Sequence, residues 1–436
     1  MHIRETEKPS RKVGAIQFGG GVFLLGFFDW MLQVANDAGV CDFDTVIVRS
    51  MTRGVDPLEA QGYRYTHVAR GSEGSEVTLV NSIAGSIPAA ERWQDFLALG
   101  ENPELSLIVS NTTESGIAYL PCPMPRDAAP ESFPARLAAL LYRRYQKGLP
   151  APLILPCELI EDNGKTLREY VLRHATDWEL EAGFLSYLTE ACDFRSTLVD
   201  RIVSGAPSDR IELPYEDGRI NTSEFFHLWV IEGEPDDRMP FARAGLNVKF
   251  VPSLAEYRTL KVRILNGAHT SMIPYALLSG LETVGDCLKD EAMREHLSGC
   301  LFEEILPSLS FDEREARSYA ESVLTRFSNP YLHHLCSAIA LNSISKFRVR
   351  VLPSILEYHE KTGKKPRRLL FAFGQLLRLY GTDLARDDAA LIASIKARTT
   401  AEILSDVALW GEDLSRYLPE VDAARRARSY AEVSKA

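Results

Sequence analysis

Residues 12–32 read KVGAIQFGGGVFLLGFFDWML, and their pattern is that of a buried strand, a glycine turn and a buried helix in direct succession. We predict the strand at Lys12–Phe18, the turn at Gly19–Gly21 and the helix at Val22–Asn36. Glycine permits such a turn, and the N–H groups at the helix start can face a pyrophosphate. The match to G-x-G-x-x-G is incomplete, since its last position is Leu24, so an ordinary glycine-rich turn stays an alternative.

The same stretch is nearly continuous apolar sequence and about as long as a membrane helix. Gln17, the three glycines and Asp29 interrupt it, which favours the strand, turn and helix. We therefore predict no membrane span.

Further apolar runs predict strands at Thr45–Arg49, Leu105–Ser110 and Leu153–Leu155. Two later runs, Trp229–Ile231 and Val248–Val251, are expected to close the same sheet. Strands that alternate with helical stretches indicate an α/β fold, here a Rossmann-type N-terminal domain with a mostly parallel sheet.

Beyond about Ser253 the pattern changes to long helical periodicity, which predicts a mostly α-helical C-terminal domain. Ser253 and Glu256 form an S-x-x-E capping box that predicts a helix start just after Pro252. We therefore divide the chain into a dinucleotide-binding domain at 1–252 and a substrate and catalytic domain at 253–436, with the site expected in the cleft between them.

Length and composition agree with two globular domains, since the chain has 436 residues, 45% of them hydrophobic and 25% charged. The net charge of −11 argues against a nucleic-acid or membrane-surface binder. An anionic small substrate would need a local cluster of arginine and lysine. The seven scattered cysteines and the polar N-terminus indicate reduced thiols and a cytoplasmic protein.

The segment from Leu260 to His269 carries the candidate catalytic residues. At 100° per residue, Lys261 falls at 0°, His269 at about 80° and Asn266 at about 140°, so all three can face one cleft. Partial burial can lower the pKa of a lysine toward neutrality and make it a general acid or base. An asparagine N–H₂ can stabilise an alkoxide, and a histidine can orient a hydroxyl. The alternative is a solvated amphipathic helix.

At these residues the chain resembles the polyol-specific long-chain dehydrogenases, the family of mannitol dehydrogenase, whose K-x-x-x-x-N-x-x-H pattern it matches. Other stretches that resemble the family extend over nearly the whole chain: Gln17–Gly19 with Phe23, Ser110–Gly116, Leu155–Gly164, Val199–Val203 and Ser345–Phe347. The resemblance implies a Rossmann-type dehydrogenase that uses Lys261, Asn266 and His269 without metal.

The resemblance also implies a cofactor site formed by Gly19, Gly21, Phe23, Asn111 and Thr112. At the end of the second predicted strand, Arg49 replaces the usual acidic residue and could accept a 2′-phosphate or stack on adenine. Relatives that reduce keto sugar acids favour NAD, so we expect NAD, with NADP as the alternative. The family commonly has glutamate, asparagine and arginine in place of Gly20, Val22 and Leu25.

Three further residues are candidates for binding substrate. Arg258 lies three residues before Lys261 and could pair with a carboxylate, or be a surface arginine. The resemblance adds Asn163 and Lys346, whose alternatives are a turn-forming Asn-Gly and a solvated helix face. The pair His333-His334 lacks the companions of a metal site, and we predict none.

Within the family, the chain looks most like the branch that reduces tagaturonate to altronate. Mannitol dehydrogenases and fructuronate reductases typically read C-D-N where this chain has Cys157-Glu158-Leu159, and they tend to carry glutamate in place of Arg258. Fructuronate reduction and mannitol-type oxidation remain alternatives, as does a sugar-acid epimerase that retains NAD. We expect a sugar acid or polyol as the only partner, with the chain a monomer or a small homo-oligomer.

Overall fold

The computed structural model describes residues 1–49, 57–113 and 115–434, in two compact units, Met1–Leu254 and Ala255–Ala436. All strands of the described residues lie in the first unit. They are β1 Lys12–Phe18, β2 Phe43–Arg49, β3 Tyr65–Gly71, β4 Gly74–Val80, β5 Ile83–Pro88, β6 Leu107–Ser110, β7 Leu153–Pro156, β8 Asp193–Phe194, β9 Thr197–Asp200, β10 Val203–Gly205, β11 Asn221–Ser223, β12 Leu228–Glu232 and β13 Val248–Val251.

The main sheet of the first unit has six strands in the order β5-β2-β1-β6-β7-β8, and every neighbouring pair is parallel. Both of its faces are buried, because Ile108 of β6 packs into one hydrophobic cluster and Leu107 and Val109 into another. Burial on two faces explains the continuous apolar runs of these strands. The predicted α/β class with a parallel sheet is confirmed.

Two smaller sheets complete this unit, with the strand orders β10-β11-β3-β4 and β13-β12-β9. The prediction that Trp229–Ile231 and Val248–Val251 close the main sheet is wrong, since β12 pairs with β13 and with β9 instead. The main sheet ends at β8, which pairs with β7. An apolar run predicts a buried strand but does not select its partner.

The helices of the first unit cover the main sheet. The α-helices are α1 Val22–Leu24, α2 Trp30–Asp37, α3 Pro57–Ala60, α4 Trp93–Leu99, α5 Phe133–Gln146, α6 Asn163–Asp177 and α7 Ala182–Ser186. Leu25–Asp29 and Tyr187–Ala191 are π-helical, and Ile3–Glu5 and Pro240–Ala244 are 3₁₀ turns. The predicted helix at Val22–Asn36 is thus a continuous helical run with a π segment inside it.

The described residues of the second unit form helices and no strand, as the periodicity predicted. The α-helices are α8 Ala255–Leu260, α9 Gly267–Leu278, α10 Val284–Lys289, α11 Glu291–Gly299, α12 Leu306–Ser308, α13 Glu313–Phe327, α14 Cys336–Ile339, α15 Ser343–Arg350, α16 Leu352–Thr362, α17 Arg367–Leu379, α18 Ala389–Ala397, α19 Thr400–Leu404, α20 Val407–Trp410, α21 Leu418–Arg426 and α22 Ala431–Ser434. Lys261–Asn266 and Cys300–Ile305 are π-helical, and Ser415–Tyr417 is a 3₁₀ turn.

No helix among the residues that the structure describes is long and apolar enough to cross a membrane. The polar residues that argued against a span, Gln17 and Asp29, are both fully buried and bond to each other. Gln17 Nε2 donates to Asp29 Oδ2 at 3.1 Å and also to the carbonyl of Gly19 at 3.1 Å. This pair therefore ties the helical run to the glycine turn.

Burial raises the pKa of the Asp29 carboxyl to about 8, against an ordinary value of 3.8. Asp29 Oδ1 and Gln17 Oε1 are buried without a hydrogen-bond partner among the described residues, so a protonated carboxyl adds a donor where one is lacking. The folded state thus favours the neutral acid.

We expect Asp29→Asn to flatten the dependence of stability on pH. A carboxyl whose folded pKa lies above its unfolded value stabilises the fold fully below the unfolded pKa, and this contribution is lost as pH rises through about 4 to about 8. The wild-type free energy of unfolding should therefore fall by at least about 1 kcal/mol more than that of the variant between about pH 5 and about pH 9. Urea unfolding followed by tryptophan fluorescence measures it, because Trp30, Trp93, Trp178 and Trp229 lie in this unit. Equal slopes in the two proteins would show that Asp29 is not the group responsible.

Candidate functional site

The glycine turn after β1 passes close to the ends of both neighbouring strands. Gly19 has φ +113°, and a Cβ there would lie 2.6 Å from the carbonyl oxygen of Asn111 after β6. A Cβ on Gly20 would lie 3.2 Å from Ile47 Cγ2 of β2, whereas a Cβ on Gly21 would meet no atom of a described residue within 4 Å. The fold itself thus requires glycine at position 19, while position 21 is open toward whatever binds there.

This turn lies where the strand order of the sheet changes direction. From β1 the sheet extends through β2 and β5 on one side, and through β6, β7 and β8 on the other. In open parallel sheets, ligands bind beyond the carboxyl ends of the strands at such a point. The turn at Gly19–Gly21 and the loop that begins at Asn111 occupy this edge.

The N-terminus of the helical run fits an anionic group. Gly21 is the exposed residue before Val22, its backbone is extended with ψ 164°, and no side chain of a described residue caps the helix. The helical run that follows extends without a break through the π segment to Asp37. Uncapped N–H groups at the start of such a run suit a pyrophosphate, so the residues present fit a dinucleotide.

Arg49 and Phe23 are the two predicted cofactor residues beside this turn. Arg49 is the half-buried last residue of β2, and its Cγ would lie 3.9 Å from a Cβ on Gly20. Phe23 is half-buried and stacks on Phe27 with ring centroids 5.0 Å apart. Packing accounts for one face of the Phe23 ring.

Glu158 is a residue that the sequence interpretation noted only as a departure from its relatives. Its buried carboxylate accepts hydrogen bonds from the N–H and hydroxyl of Thr112, at 2.8 and 2.9 Å, and from the Ser110 hydroxyl at 2.9 Å. Burial raises the pKa of Glu158, and these hydrogen bonds act in the opposite direction. Glu158 therefore fixes the loop after β6, and its position three residues after the predicted strand Leu153–Leu155 was the available signal.

A second hydrogen bond fixes the same loop: Asn111 Nδ2 donates to the carbonyl of Cys157 at 3.0 Å. Asn111 and Thr112 are both half-buried. Together with Gly19 they are brought to one edge of the sheet, where the cofactor residues are predicted.

The environment of Asn163 differs from that expected of a substrate-binding residue. It is 1% exposed, and its Nδ2 donates to the carbonyls of Pro156, Glu158 and Thr197 at 2.9 to 3.1 Å. Its Oδ1 accepts the N–H groups of Gly164 and Thr197 at 2.9 Å. These bonds favour a structural role over the predicted contact with substrate.

In the second unit, Lys261 and Asn266 are the first and last residues of the π segment between α8 and α9. The angles expected for a regular α-helix are therefore wrong, because an i→i+5 turn contains about one residue more than an α-helical turn. Asn266 then lies about one turn after Lys261, and His269 about one turn after Asn266, so the three fall within roughly 60° on one face. All three are half-buried.

His269 lies in an environment that keeps its ring neutral. The ring stacks on Phe327 with centroids 4.1 Å apart, and the ring of His334 approaches it edge-on at 6.0 Å. Burial lowers the pKa of His269 to about 3, and the nearby basic side chains of His334, Arg326, Arg350 and Lys346 lower it further. Its Nε2 atom is buried and has no hydrogen-bond partner among the described residues.

Arg258, near the end of α8, and Lys346 on α15 are half-buried. Lys346 Nζ donates to the carbonyl of Ile339 at 2.9 Å, and burial lowers its pKa, with a further decrease from Arg350. Arg350, one helical turn after Lys346, is also half-buried and was not singled out from the sequence. Its interval from Lys346 in the sequence was the signal that could have identified it.

Two cavities of about 780 Å³ lie elsewhere, one at Arg210–Gly218 in the first unit and one beside Tyr358 and Glu420 in the second. No predicted site residue lines either cavity. Among the residues described here, no group of three or more His, Cys, Asp or Glu side chains could hold a metal ion.

A glycine turn at the switch point of a parallel sheet and a lysine, asparagine and histidine on one helical face are the features expected of a Rossmann-type oxidoreductase that acts on CH–OH groups. Two family models match the chain, the mannitol dehydrogenase Rossmann domain at residues 13–243 and the mannitol dehydrogenase C-terminal domain at residues 253–418. The chain belongs to the mannitol dehydrogenase family, as the resemblance indicated.

Among its relatives, the altronate oxidoreductase of Yersinia enterocolitica is 39% identical over 92% of this chain and 90% of its own length. The altronate oxidoreductase of Bacillus subtilis is 40% identical over 92% of this chain and 88% of its own length.

Two solved structures share the fold. A substrate-free D-sorbitol dehydrogenase has a TM-score of 0.81 at 21% identity, over 97% of this chain and 95% of that chain. A Pseudomonas fluorescens mannitol 2-dehydrogenase in ternary complex with NAD and D-mannitol has a TM-score of 0.66 at 19% identity, over 95% of this chain and 90% of that chain.

Proposed function

We propose that the protein interconverts a keto sugar acid and the corresponding aldonate with a nicotinamide cofactor, with D-tagaturonate and D-altronate as the substrate pair. We infer the reaction type from His269, which shares a helical face with Lys261 and Asn266. Its Nε2 is buried and has no hydrogen-bond partner among the described residues. A buried polar atom without a partner costs free energy, and a substrate hydroxyl would satisfy it. The substrate pair follows the altronate oxidoreductases to which the chain is similar over most of its length.

The proposed cofactor site is the turn at Gly19–Gly21 with Phe23, Arg49, Asn111 and Thr112. The helix start after Gly21 would hold the pyrophosphate. Glu158 would keep Thr112 in place, and the Cys157 carbonyl would keep Asn111 in place, through the bonds described above. When bound, nicotinamide supplies the acceptor or donor of the hydride. We propose NAD as the cofactor.

The proposed chemical roles fall on three side chains. Lys261 protonates the carbonyl oxygen of the substrate during reduction and accepts that proton in the reverse direction. Asn266 donates an N–H to the same oxygen and stabilises the negative charge that develops on it. His269 stays neutral at physiological pH, because its pKa is about 3, and orients a neighbouring hydroxyl through Nε2.

A substrate panel tests this proposal. Tagaturonate, fructuronate and fructose are each offered with NADH and with NADPH, and the loss of reduced cofactor is followed by absorbance. We expect the highest kcat/KM for tagaturonate with NADH, and no loss of activity after treatment with a chelator. A preference for fructuronate or fructose would replace the substrate pair by one of the alternatives. Interconversion of sugar acids without net loss of NADH would instead establish an epimerase.

A further inference from the structure

The local charge near His269 is opposite in sign to that of the whole chain. The chain has a net charge of −11. The charged side chains that lower the pKa of His269, however, are all basic: those of His334, Arg326, Arg350 and Lys346. A cluster of this kind is what an anionic substrate requires, and the overall composition alone does not provide it.

Two of these side chains lie on one face of α15. Lys346 and Arg350 are separated by four residues, which places them one above the other on a helix. The structure records no ion pair or hydrogen bond of the Arg350 guanidinium with any described residue, and its pKa is lowered by burial with no acidic side chain acting to raise it. A half-buried arginine in this state lacks the anion that normally compensates its burial.

The end of α15 lies directly against the start of the helix that carries His269. A Cβ built on Gly267 would lie 3.2 Å from the carbonyl oxygen of Arg350. Gly267 is two residues before His269, so the close approach of the two backbones brings Arg350 to the end of α9 at which His269 lies. Phe327 stacks on the His269 ring in the same region.

We propose that Arg350, together with Lys346, forms a carboxylate subsite beside His269 that selects sugar acids over neutral sugars. The inference rests on the proposed function, since it assigns the recognition of the acid group to this part of the same site. A guanidinium can bind both oxygens of a carboxylate, and the ammonium of Lys346 adds charge on the same face. Asp387 is the acidic neighbour of Lys346, and its carboxylate is already occupied by the Tyr380 hydroxyl and the N–H of Asp388.

Arg258 is the competing carboxylate ligand, because it precedes Lys261 on the adjacent helix segment α8. The test therefore compares Arg350→Met and Lys346→Met with Arg258→Met. The matched control is Arg348→Met, on the same helix, since Arg348 is exposed and its one hydrogen bond to a described residue is a long bond of 3.5 Å to the carbonyl of Ala408. Thermal unfolding checks that each variant is folded, and Arg350→Gln replaces Arg350→Met if that variant fails.

Steady-state kinetics give kcat/KM for tagaturonate and for fructose with each protein. Calorimetry gives the affinity of each protein for altronate. We expect Arg350→Met to lower kcat/KM for tagaturonate by roughly 10- to 100-fold, mainly through KM, as loss of a charge-assisted bond requires. Fructose turnover should change by less than about threefold, altronate affinity should fall with kcat/KM, and Arg348→Met should behave as wild type.

The outcomes separate this proposal from the proposed function. If the wild type reduces tagaturonate while Arg350→Met keeps its selectivity and its affinity for altronate, the subsite is wrong and the function stands. The same conclusion follows if Arg258→Met alone removes the selectivity. If the wild type fails to reduce tagaturonate but binds altronate in a way that depends on Arg350, the subsite stands and the function is wrong. If it does neither, both are wrong.

Discussion

Lys261→Ala is expected to lower kcat for tagaturonate reduction by about 10²-fold or more, which is the usual range for loss of a general acid or base. Affinity for the cofactor should change little, because the proposed cofactor residues belong to the first unit whereas Lys261 belongs to the second. Part of the lost rate should return when a small primary amine is added, since the truncation leaves space for an external base. Steady-state kinetics with NADH, with and without the amine, measure both effects.

The matched control for this variant is Lys289→Ala. Lys289 lies in the same unit, is exposed and pairs with Asp286 at 3.3 Å, so its removal should leave kcat unchanged. Near-normal turnover of Lys261→Ala, in an assay limited by the chemical step, would refute the proposed mechanism even though the family assignment stands.

Gly19→Ala and Gly21→Ala are expected to differ in stability and to share a weaker affinity for the cofactor. At Gly19 an alanine would need φ +113° and would place its Cβ 2.6 Å from the Asn111 carbonyl, so the free energy of unfolding should fall by roughly 1–3 kcal/mol. At Gly21 the backbone is ordinary and a Cβ would meet no atom within 4 Å in the part of the chain that the structure describes, so the free energy of unfolding should not change. Both variants should raise the KM for NADH, on the order of tenfold or more, because the pyrophosphate is proposed to approach this backbone.

Urea unfolding and cofactor titration separate the two effects. Gly21→Ala isolates the contribution of cofactor approach, since the fold does not require glycine at that position. An unchanged KM for NADH in Gly21→Ala would remove Gly21 from the cofactor site. A Gly19→Ala protein as stable as wild type would contradict the close approach to Asn111.

The strand, glycine turn and helix at residues 12–37 could be predicted because each depends on local properties. Apolar runs predict strands buried on both faces, and consecutive glycines predict the turn. The hairpin of β3 and β4 was not predicted, because β4 is largely exposed and polar along much of its length. The pairing of β11 with β3 could not be predicted either, since it joins segments about 150 residues apart.

The candidate site was predicted in its residue types and only partly in its geometry. Lys261, Asn266 and His269 were found from their pattern, but a regular helix gives the wrong angles between them. Arg350 was not singled out, although its interval from Lys346 was a signal, because the contact of the end of α15 with Gly267 is not visible in the sequence. The hydrogen bonds of Asn163 were not visible either, since they depend on where the fold places the carbonyls of Pro156, Glu158 and Thr197.

The wide turn at Lys261–Asn266 also determines which changes of chain length this helix can tolerate. A π segment amounts to a one-residue insertion that the helix has absorbed by widening rather than by looping out. Removing one residue inside it would restore regular winding and leave His269 within roughly 30° of its present direction, because four α-helical steps and five π-helical steps each make about one turn. The widening therefore holds Lys261, Asn266 and His269 on one face, whereas regular α-helical winding of the present sequence would place Asn266 about 140° from Lys261.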